Sequence, residues 1–237
     1  PYANGPLHLG RLAVLMPGDT LARYHRLMED EVIFLSGTDC HGLPVLSRAK
    51  EENLSPEEIV EKYNKEFIET FKVLDFSFDV FSKTTEELHK EKVKEFIIDL
   101  KNKGFIYEEG EGKDKHLYFK LSEFEKDVTR LLIRQKNWRE NALLMVKRYL
   151  SEGLRDKAVT RDIEWGIKVP FDGFSDKRIY VWIEAVMGYV TSTIKILEGK
   201  TETWKDYWMG EDTKIYFVHG KDNIPFHTVI FPAILSG

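Results

Sequence analysis

The stretch EVIFLSGTDCHG, residues 31–42, gives the strongest indication of the fold. It begins with an apolar run, residues 31–37, whose length and composition predict a short buried strand. A polar turn follows at residues 37–42 and contains Asp39, Cys40 and His41. In open α/β sheets, ligands bind outside the carboxyl ends of the strands. The stretch therefore predicts a strand with a candidate ligand site at its end.

Helices and strands are predicted to alternate on both sides of this stretch. Ser55 and Glu58 form a capping box, with Pro56 at the first helical position. In chain order the predicted elements are a helix over 9–28, a strand over 31–37, a helix over 56–74, a strand over 178–182, a helix over 183–197 and a strand over 214–219. Strands that alternate with helices are typical of an α/β fold with a parallel sheet.

The middle of the chain has a different pattern and is interpreted as an insertion. Capping boxes at 84–87 and 122–125 predict two helix starts, and Asn137 is placed to cap a further helix that ends at Gly153. Residues 108–115 (EEGEGKDK) predict a loop. We therefore expect three parts: residues 1–104 as the first half of the sheet domain, 105–150 as the insertion and 151–237 as the second half.

Composition limits the class of protein. The 237 residues carry 35 Lys and Arg against 40 Asp and Glu, a net charge of −5, and 42 % are apolar. No apolar run reaches the roughly 18 residues of a membrane span, so we expect a soluble protein without a membrane partner. The single Cys40 favours a reducing, cytoplasmic location. Bulk charge does not favour nucleic-acid binding, so an RNA contact would need a local basic patch.

Three polar turns, each following a predicted strand or opening a helix, could meet at one edge of the sheet. They are residues 6–11 (PLHLGR), 37–42 (GTDCHG) and 219–223 (HGKDN). His8 is predicted at a helix N-terminus, where N–H groups and the helix dipole favour phosphate. Gly10 would leave room for a flat ring. Each turn alone is equally compatible with an ordinary surface turn, and His8 with a simple helix cap.

Asp39 and the aromatic residues near the end of the chain suggest a small-molecule site. Asp39 and His41 flank Cys40, but further ligands at metal spacing are missing nearby, so a substrate ammonium suits Asp39 better. Trp182, Ala185 and Tyr189 share a predicted helical face. Such a stripe usually belongs to the core, but it could also wall an apolar pocket, with Phe226 and His227 opposite it.

Five segments of this chain resemble, in the family's order, signature segments of the methionyl-tRNA synthetases, which are class I aminoacyl-tRNA synthetases. They are PYANGPLHLG (1–10), FLSGTDCHG (34–42), GLRDKAVTRDIEWGIKVP (153–170), VWIEAVMGY (181–189) and GKDNIPFHTVIFPAIL (220–235). The resemblance implies a class I Rossmann-type parallel sheet that is interrupted by a connective-peptide insertion. It also implies that methionine is activated with ATP and Mg²⁺ to methionyl-adenylate and passed to tRNA(Met).

The resemblance also implies roles for individual residues. Asp39 would bind the methionine ammonium, and Arg161 matches a position linked to the activation step. The methionine side chain would be lined by Tyr2, Trp182, Ala185, Tyr189 and His227. The ATP-binding residues would be His8 on the phosphates, Gly10 beside the adenine, and Gly220 and Asp222 on the adenosine.

Some residues depart from the family pattern. Arg11 stands where the signature has its second histidine, and we expect it to act as a catalytic residue on the phosphates. Val186 and Glu184 replace the family's usual Pro and Asp. No cysteine lies in the connective region between Tyr107 and Leu117, where family members often carry zinc knuckles, so we expect no structural zinc.

Two interpretations of function follow. The first is a catalytic fragment of a methionine–tRNA ligase; we expect it to lack the KMSKS loop and the anticodon-binding domain and to be inactive alone. The departures leave open a second, a synthetase-like paralog that activates or binds an amino acid for a different acceptor. A pure tRNA- or protein-binding module fits less well, because the expected ligand-binding residues are largely present.

Overall fold

The computed structural model describes residues 1–135 and 137–237 and combines helices with short strands. The helices are α1 Leu9–Leu27, α2 Leu43–Glu52, α3 Pro56–Val73, α4 Glu87–Asn102, α5 Glu125–Arg134, α6 Glu140–Glu152, α7 Val181–Ile196, α8 Trp204–Met209 and α9 Phe231–Ser236. The strands are β1 Leu35–Thr38, β2 Val80–Lys83, β3 Ile106–Glu109, β4 His116–Phe119, β5 Lys157–Ala158, β6 Thr160–Arg161 and β7 Arg178–Ile179. Within the described ranges, no helix is both long and apolar enough to span a membrane.

The chain forms two compact units. The first contains residues 1–92 and 187–219, and the second contains residues 93–186 and 220–237. Helices α4 and α7 each contribute residues to both units.

A parallel strand pair lies in the first unit; the sequence predicts one of its two strands, β1, and not its partner β2. In this pair β1 runs beside β2, with Leu35 opposite Val80. Tyr2 forms a further parallel bridge with Asp39, directly after β1. The regular strand is shorter than the apolar run predicts, because the Asp79 carboxylate binds the Phe34 N–H at 2.6 Å in place of a ladder partner.

In the first unit, a predicted helix begins as expected where its start depends only on residues close together in the sequence. The capping box that begins α3 is confirmed: the Ser55 hydroxyl accepts the Glu58 N–H at 3.2 Å, and the Glu58 carboxylate accepts the Ser55 N–H at 2.7 Å. The core includes fully buried Ile59 and Phe67. Beside it lies an aromatic cluster, in which Phe34 stacks on Phe78 at 4.5 Å.

The two other predicted capping boxes do not form, although a helix follows each of them, because tertiary contacts occupy the expected caps. The Thr84 hydroxyl accepts the Cys40 N–H at 3.0 Å, and α4 begins three residues later. The Ser122 hydroxyl donates to the Asp156 carboxylate at 2.7 Å, and α5 begins at Glu125. Helix α6 likewise begins after Arg139 and not after Asn137, although it ends before Gly153 as predicted.

The predicted strand over 214–219 is also wrong: these residues have no regular secondary structure. A strand is stable only when a neighbour satisfies its N–H and C=O groups, and none of the described strands pairs with this segment. Aromatic packing holds part of this segment, because the ring centroids of Phe217 and Tyr189 lie 5.4 Å apart.

The second unit contains antiparallel strands where the sequence predicted a helical insertion. β3 and β4 form a hairpin with Ile106 opposite Phe119 and Glu109 opposite His116, and β5 extends this sheet. β6 and β7 form a second antiparallel pair. The hairpin turn, residues 110–115, requires glycine at Gly110: its φ is +89°, and a Cβ there would lie 2.4 Å from the Asp114 carbonyl oxygen.

Buried Lys177 fixes this turn to the strand that contains Arg161. The Lys177 ammonium donates to the Lys113 carbonyl at 2.7 Å and to the Asp162 carboxylate at 2.5 Å. His116 lies 3.2 Å from the same carboxylate, and its other ring nitrogen is 2.9 Å from the Thr160 hydroxyl. The hairpin is therefore anchored at its tip as well as along its strands.

Candidate functional site

His8 lies where the sequence predicts it, at the N-terminus of α1. Its backbone is extended (φ −120°, ψ 164°), its side chain makes no capping hydrogen bond, and the ring is exposed. The N-terminus of this 19-residue helix presents N–H groups and the positive end of the helix dipole. A phosphate at this position would meet both the N–H groups and the His8 ring.

Gly10 lies directly under the His8 ring. A Cβ at position 10 would come within 3.0 Å of His8 Cε1 and 3.1 Å of Nδ1. The missing side chain therefore leaves room for the imidazole of His8. Contact between Gly10 and an adenine, as the resemblance implies, stays a prediction.

Tyr2 and Asp39 are brought together by backbone pairing. The Asp39 N–H donates to the Pro1 carbonyl at 2.8 Å, and the Ala3 N–H donates to the Asp39 carbonyl at 2.9 Å. The Tyr2 hydroxyl donates to the His41 carbonyl. The turn after β1 is therefore joined to residues 1–3 at Asp39 and at His41.

Tyr189 belongs to the same electrostatic environment as Asp39. Burial, helped by the negative charge of Asp39, raises the pKa of Tyr189 to about 12. Burial and the same carboxylate also raise the pKa of the Cys40 thiol to about 12. Both groups are neutral near pH 7, so neither the Tyr189 phenol nor the Cys40 thiol adds a charge beside Asp39.

Arg11 does not point freely outward from the helix. Its guanidinium donates to the Tyr2 carbonyl at 3.2 Å and to the Asn4 side-chain oxygen at 3.0 Å. These contacts were not predicted from the sequence, which placed Arg11 on a phosphate. The phosphate role stays a prediction.

Trp182 and His227 occupy one part of the second unit. The Trp182 ring stacks on Phe226, with 4.5 Å between centroids and 18° between planes. His227 is buried, and its Nδ1–H donates to the Asn223 carbonyl at 2.8 Å. The pairing of Trp182 with the segment around Phe226 agrees with the sequence interpretation. Ala185 is half-buried one helical turn beyond Trp182.

Gly220 and Asp222 begin a short turn in the same unit. Gly220 precedes a 3₁₀ turn, Lys221–Asn223, in which Asp222 is exposed. Asp222 lines a groove of about 530 Å³ together with Lys221 and, from α6, Arg148 and Tyr149. The α6 residues were missed by sequence reasoning, because nothing local in the sequence places α6 beside this turn.

Arg161 lies in β6 and packs on an aromatic ring. Its guanidinium carbon is 4.0 Å from the Tyr180 ring centroid, a cation–π contact. It also donates to the Thr160 carbonyl at 3.1 Å. Across the described residues, no group of three or more His, Cys, Asp or Glu side chains could hold a metal ion.

The expected site residues thus divide between the units. Tyr2, His8, Gly10, Arg11, Asp39 and Tyr189 belong to the first unit, and Arg161, Trp182, Ala185, Gly220, Asp222 and His227 belong to the second. In the first unit, Tyr2 and Asp39 are paired through their backbones, and Tyr189 lies within the electrostatic influence of Asp39. In the second unit, Trp182 stacks on Phe226, and Asp222 lines the groove beside α6.

Comparison with known proteins gives matches along the whole chain. The family model for class I tRNA synthetases (M) matches residues 1–113 and 109–237. Methionine–tRNA ligase 1 of Alkaliphilus oremlandii is 41 % identical over 297 aligned positions, and methionine–tRNA ligase of Streptococcus pneumoniae is 42 % identical over 299. Both alignments cover all of this chain and 55 % of the relative, so the chain spans about half the length of these relatives.

A solved structure shows which fold the chain has. Mycobacterium tuberculosis methionyl-tRNA synthetase bound by methionyl-adenylate superposes with a TM-score of 0.88 at 26 % identity. The match covers 99 % of this chain and 53 % of that one. It confirms the predicted fold class, an α/β fold with a Rossmann-type parallel sheet.

The alignments also show a difference in length. The first spans 297 positions but this chain supplies 237 residues, so about 60 positions of the relative have no counterpart here. The two matches to the family model overlap at residues 109–113, which comprise the last residue of β3 and the first part of the turn that leads to β4. We infer that the additional residues of the relatives belong at this turn.

Proposed function

Because the chain belongs to the class I methionyl-tRNA synthetase family, we propose that its parent protein is a methionine–tRNA ligase. It would activate L-methionine with ATP to methionyl-adenylate and transfer the methionyl group to tRNA(Met). The single observation that supports this most is the match to methionine–tRNA ligases along the whole chain. No observation favours the alternative of an amino acid activated for another acceptor.

For methionine, we propose that Asp39 binds the ammonium group as a charged acceptor. Tyr2 and Tyr189 stand near it and are proposed to contact the substrate with their rings. In the second unit, Trp182, Ala185 and His227 are proposed to contact the side chain. A thioether is apolar and polarizable, so the stacked Trp182 ring suits it.

For ATP, we propose that His8 and the N–H groups that begin α1 bind the phosphates. Gly10 would lie against the adenine, Gly220 and Asp222 would contact the adenosine, and Asp222 would accept from the ribose hydroxyls. ATP would enter with Mg²⁺. A methionine carboxylate oxygen then forms a bond to the α-phosphorus, and the bond to the β-phosphate oxygen breaks to release pyrophosphate.

This chemistry needs no covalent enzyme intermediate. Positioning of the two substrates and stabilisation of charge on the phosphates provide the acceleration. Arg161 is proposed to act in this step, held by its contact with Tyr180. We propose a cytoplasmic location, where tRNA is charged for translation; a single, buried cysteine is compatible with it.

The proposal is tested by ATP–pyrophosphate exchange on the full-length protein with each of the twenty amino acids. We expect exchange with methionine to exceed exchange with every other amino acid, and tRNA(Met) to accept the methionyl group. A reaction without methionine provides the background. Exchange driven by a different amino acid, or none at all, would refute the proposal.

We also expect the chain to hold no structural zinc. Its only cysteine is buried with a raised pKa, and a zinc knuckle needs several thiolates. Incubation with a chelator should leave the melting temperature unchanged, and elemental analysis should find less than stoichiometric zinc. One equivalent of zinc whose removal lowers the melting temperature would contradict this expectation.

A further inference from the structure

We propose that Arg11 is a positioning residue that holds residues 1–5, here called the strap, against the Asp39 turn. The inference rests on the proposed function and concerns its methionine-binding residues. It is an alternative to the phosphate contact that we expect for Arg11 from the sequence, and the kinetic test below distinguishes the two roles. Through the strap, Arg11 would set the placement of Tyr2 and Asp39.

The strap has little secondary structure of its own. Apart from the bridge between Tyr2 and Asp39, it forms no strand or helix, yet Ala3 and Gly5 are buried. Backbone polar groups in such a segment need partners from elsewhere in the fold. The side chains and backbone groups that bind the strap therefore contribute to its position.

Two arginines supply these partners. Arg11 donates to the Tyr2 carbonyl at 3.2 Å and to the Asn4 side-chain oxygen at 3.0 Å. Arg48, from α2, donates to the Asn4 carbonyl at 2.9 Å. The strap in turn exchanges two backbone hydrogen bonds with Asp39, at 2.8 and 2.9 Å. A shift of the strap would therefore move Tyr2 and the Asp39 backbone together.

The geometry explains why arginine suits this position and histidine does not. A guanidinium carries five N–H donors in a planar fork, so one side chain can bind two acceptors on neighbouring residues. An imidazole is shorter, and its two ring nitrogens point in different directions. Histidine at position 11 would lose at least one of the two contacts.

Kinetics on the full-length protein distinguish positioning from phosphate binding. We expect Arg11→Ala to raise the KM for methionine by about tenfold, the effect of losing charge-assisted hydrogen bonds, with little change in the KM for ATP or in kcat. Arg11→His should behave like Arg11→Ala, whereas Arg11→Lys should recover part of the loss. A lower kcat or a higher KM for ATP, with the methionine KM unchanged, would overturn the proposal.

Two further variants make this test specific. Arg23→Ala, on the same helix, removes a guanidinium that binds Asp19 and Asp75, and it should leave the methionine KM unchanged. Asn4→Ala removes one partner of Arg11, so its effect and that of Arg11→Ala should not add in the double variant. Additive effects would show that the two residues act separately and would count against the proposal.

A measurement without substrate tests the same idea independently. We expect the amide protons of Ala3 and Asp39 to exchange with solvent faster in Arg11→Ala than in the parent or in Arg23→Ala. Unchanged protection of both amides would overturn the positioning role even if kinetic constants changed. If the parent shows no methionine-dependent exchange, the proposed function fails, and amide protection alone decides the role of Arg11.

Discussion

Replacing His8 by alanine is expected to lower the rate of methionyl-adenylate formation by about 10²–10³-fold, the range found when one donor to a developing oxyanion is removed. The ring lies at the N-terminus of α1 without a capping bond, so it is available to a phosphate. Because the N–H groups of the first turn remain, ground-state ATP binding should weaken less than the rate. Contacts that strengthen in the transition state raise kcat more than affinity.

Helix α1 provides a matched control for this variant. His25 lies in its last turn, where its ring nitrogen contacts the Asp30 carboxylate at 2.7 Å, far along the helix from His8. Pre-steady-state adenylate formation should be nearly unchanged in His25→Ala. Equal losses in both variants would indicate a general effect on the helix, and a His8→Ala enzyme at the parent rate would refute the phosphate role.

Asp39→Ala should weaken methionine activation by roughly tenfold to over a hundredfold, because a charge-assisted bond contributes about 1.5–3 kcal/mol. The loss should appear in the KM for methionine, while the KM for ATP should change little. Asp39→Asn, which keeps the shape but not the charge, should also lose affinity. The measurement is the methionine dependence of ATP–pyrophosphate exchange on the full-length protein.

An exposed aspartate provides the control variant for Asp39→Ala. Asp99 forms a surface ion pair with Lys103 at 2.8 Å, and such pairs contribute little. Asp99→Ala should therefore keep the parental KM for methionine. If Asp39→Ala kept it as well, Asp39 could not be the ligand of the ammonium group.

The sequence predicts those parts of the fold that depend on neighbours along the chain. The capping box at Ser55 needs only residues three apart, and it forms as expected. Similar boxes at Thr84 and Ser122 fail, because Cys40 and Asp156 bind their hydroxyl groups from distant parts of the sequence. Local pattern alone does not reveal such competitors.

The candidate site likewise contains features that follow from the local sequence and features that depend on contacts between distant residues. The positions of His8 and of the Asp39 turn follow from a predicted helix start and a predicted strand end, and the structure places both there. The contacts of Arg11 could not be predicted, because they depend on how residues 1–5 fold back beside α1. The groove beside Asp222 depends on the packing of α6, which no motif in the chain encodes.

The turn of residues 110–115 has a consequence for the order in which the chain folds. Relatives carry about 60 more aligned positions, which we place between the strands that correspond to β3 and β4. If those positions were flexible, closing so long a loop would cost about 2 kcal/mol more entropy than closing this turn. β3 and β4 can therefore meet early as a local hairpin, and the lower contact order favours faster assembly of this unit.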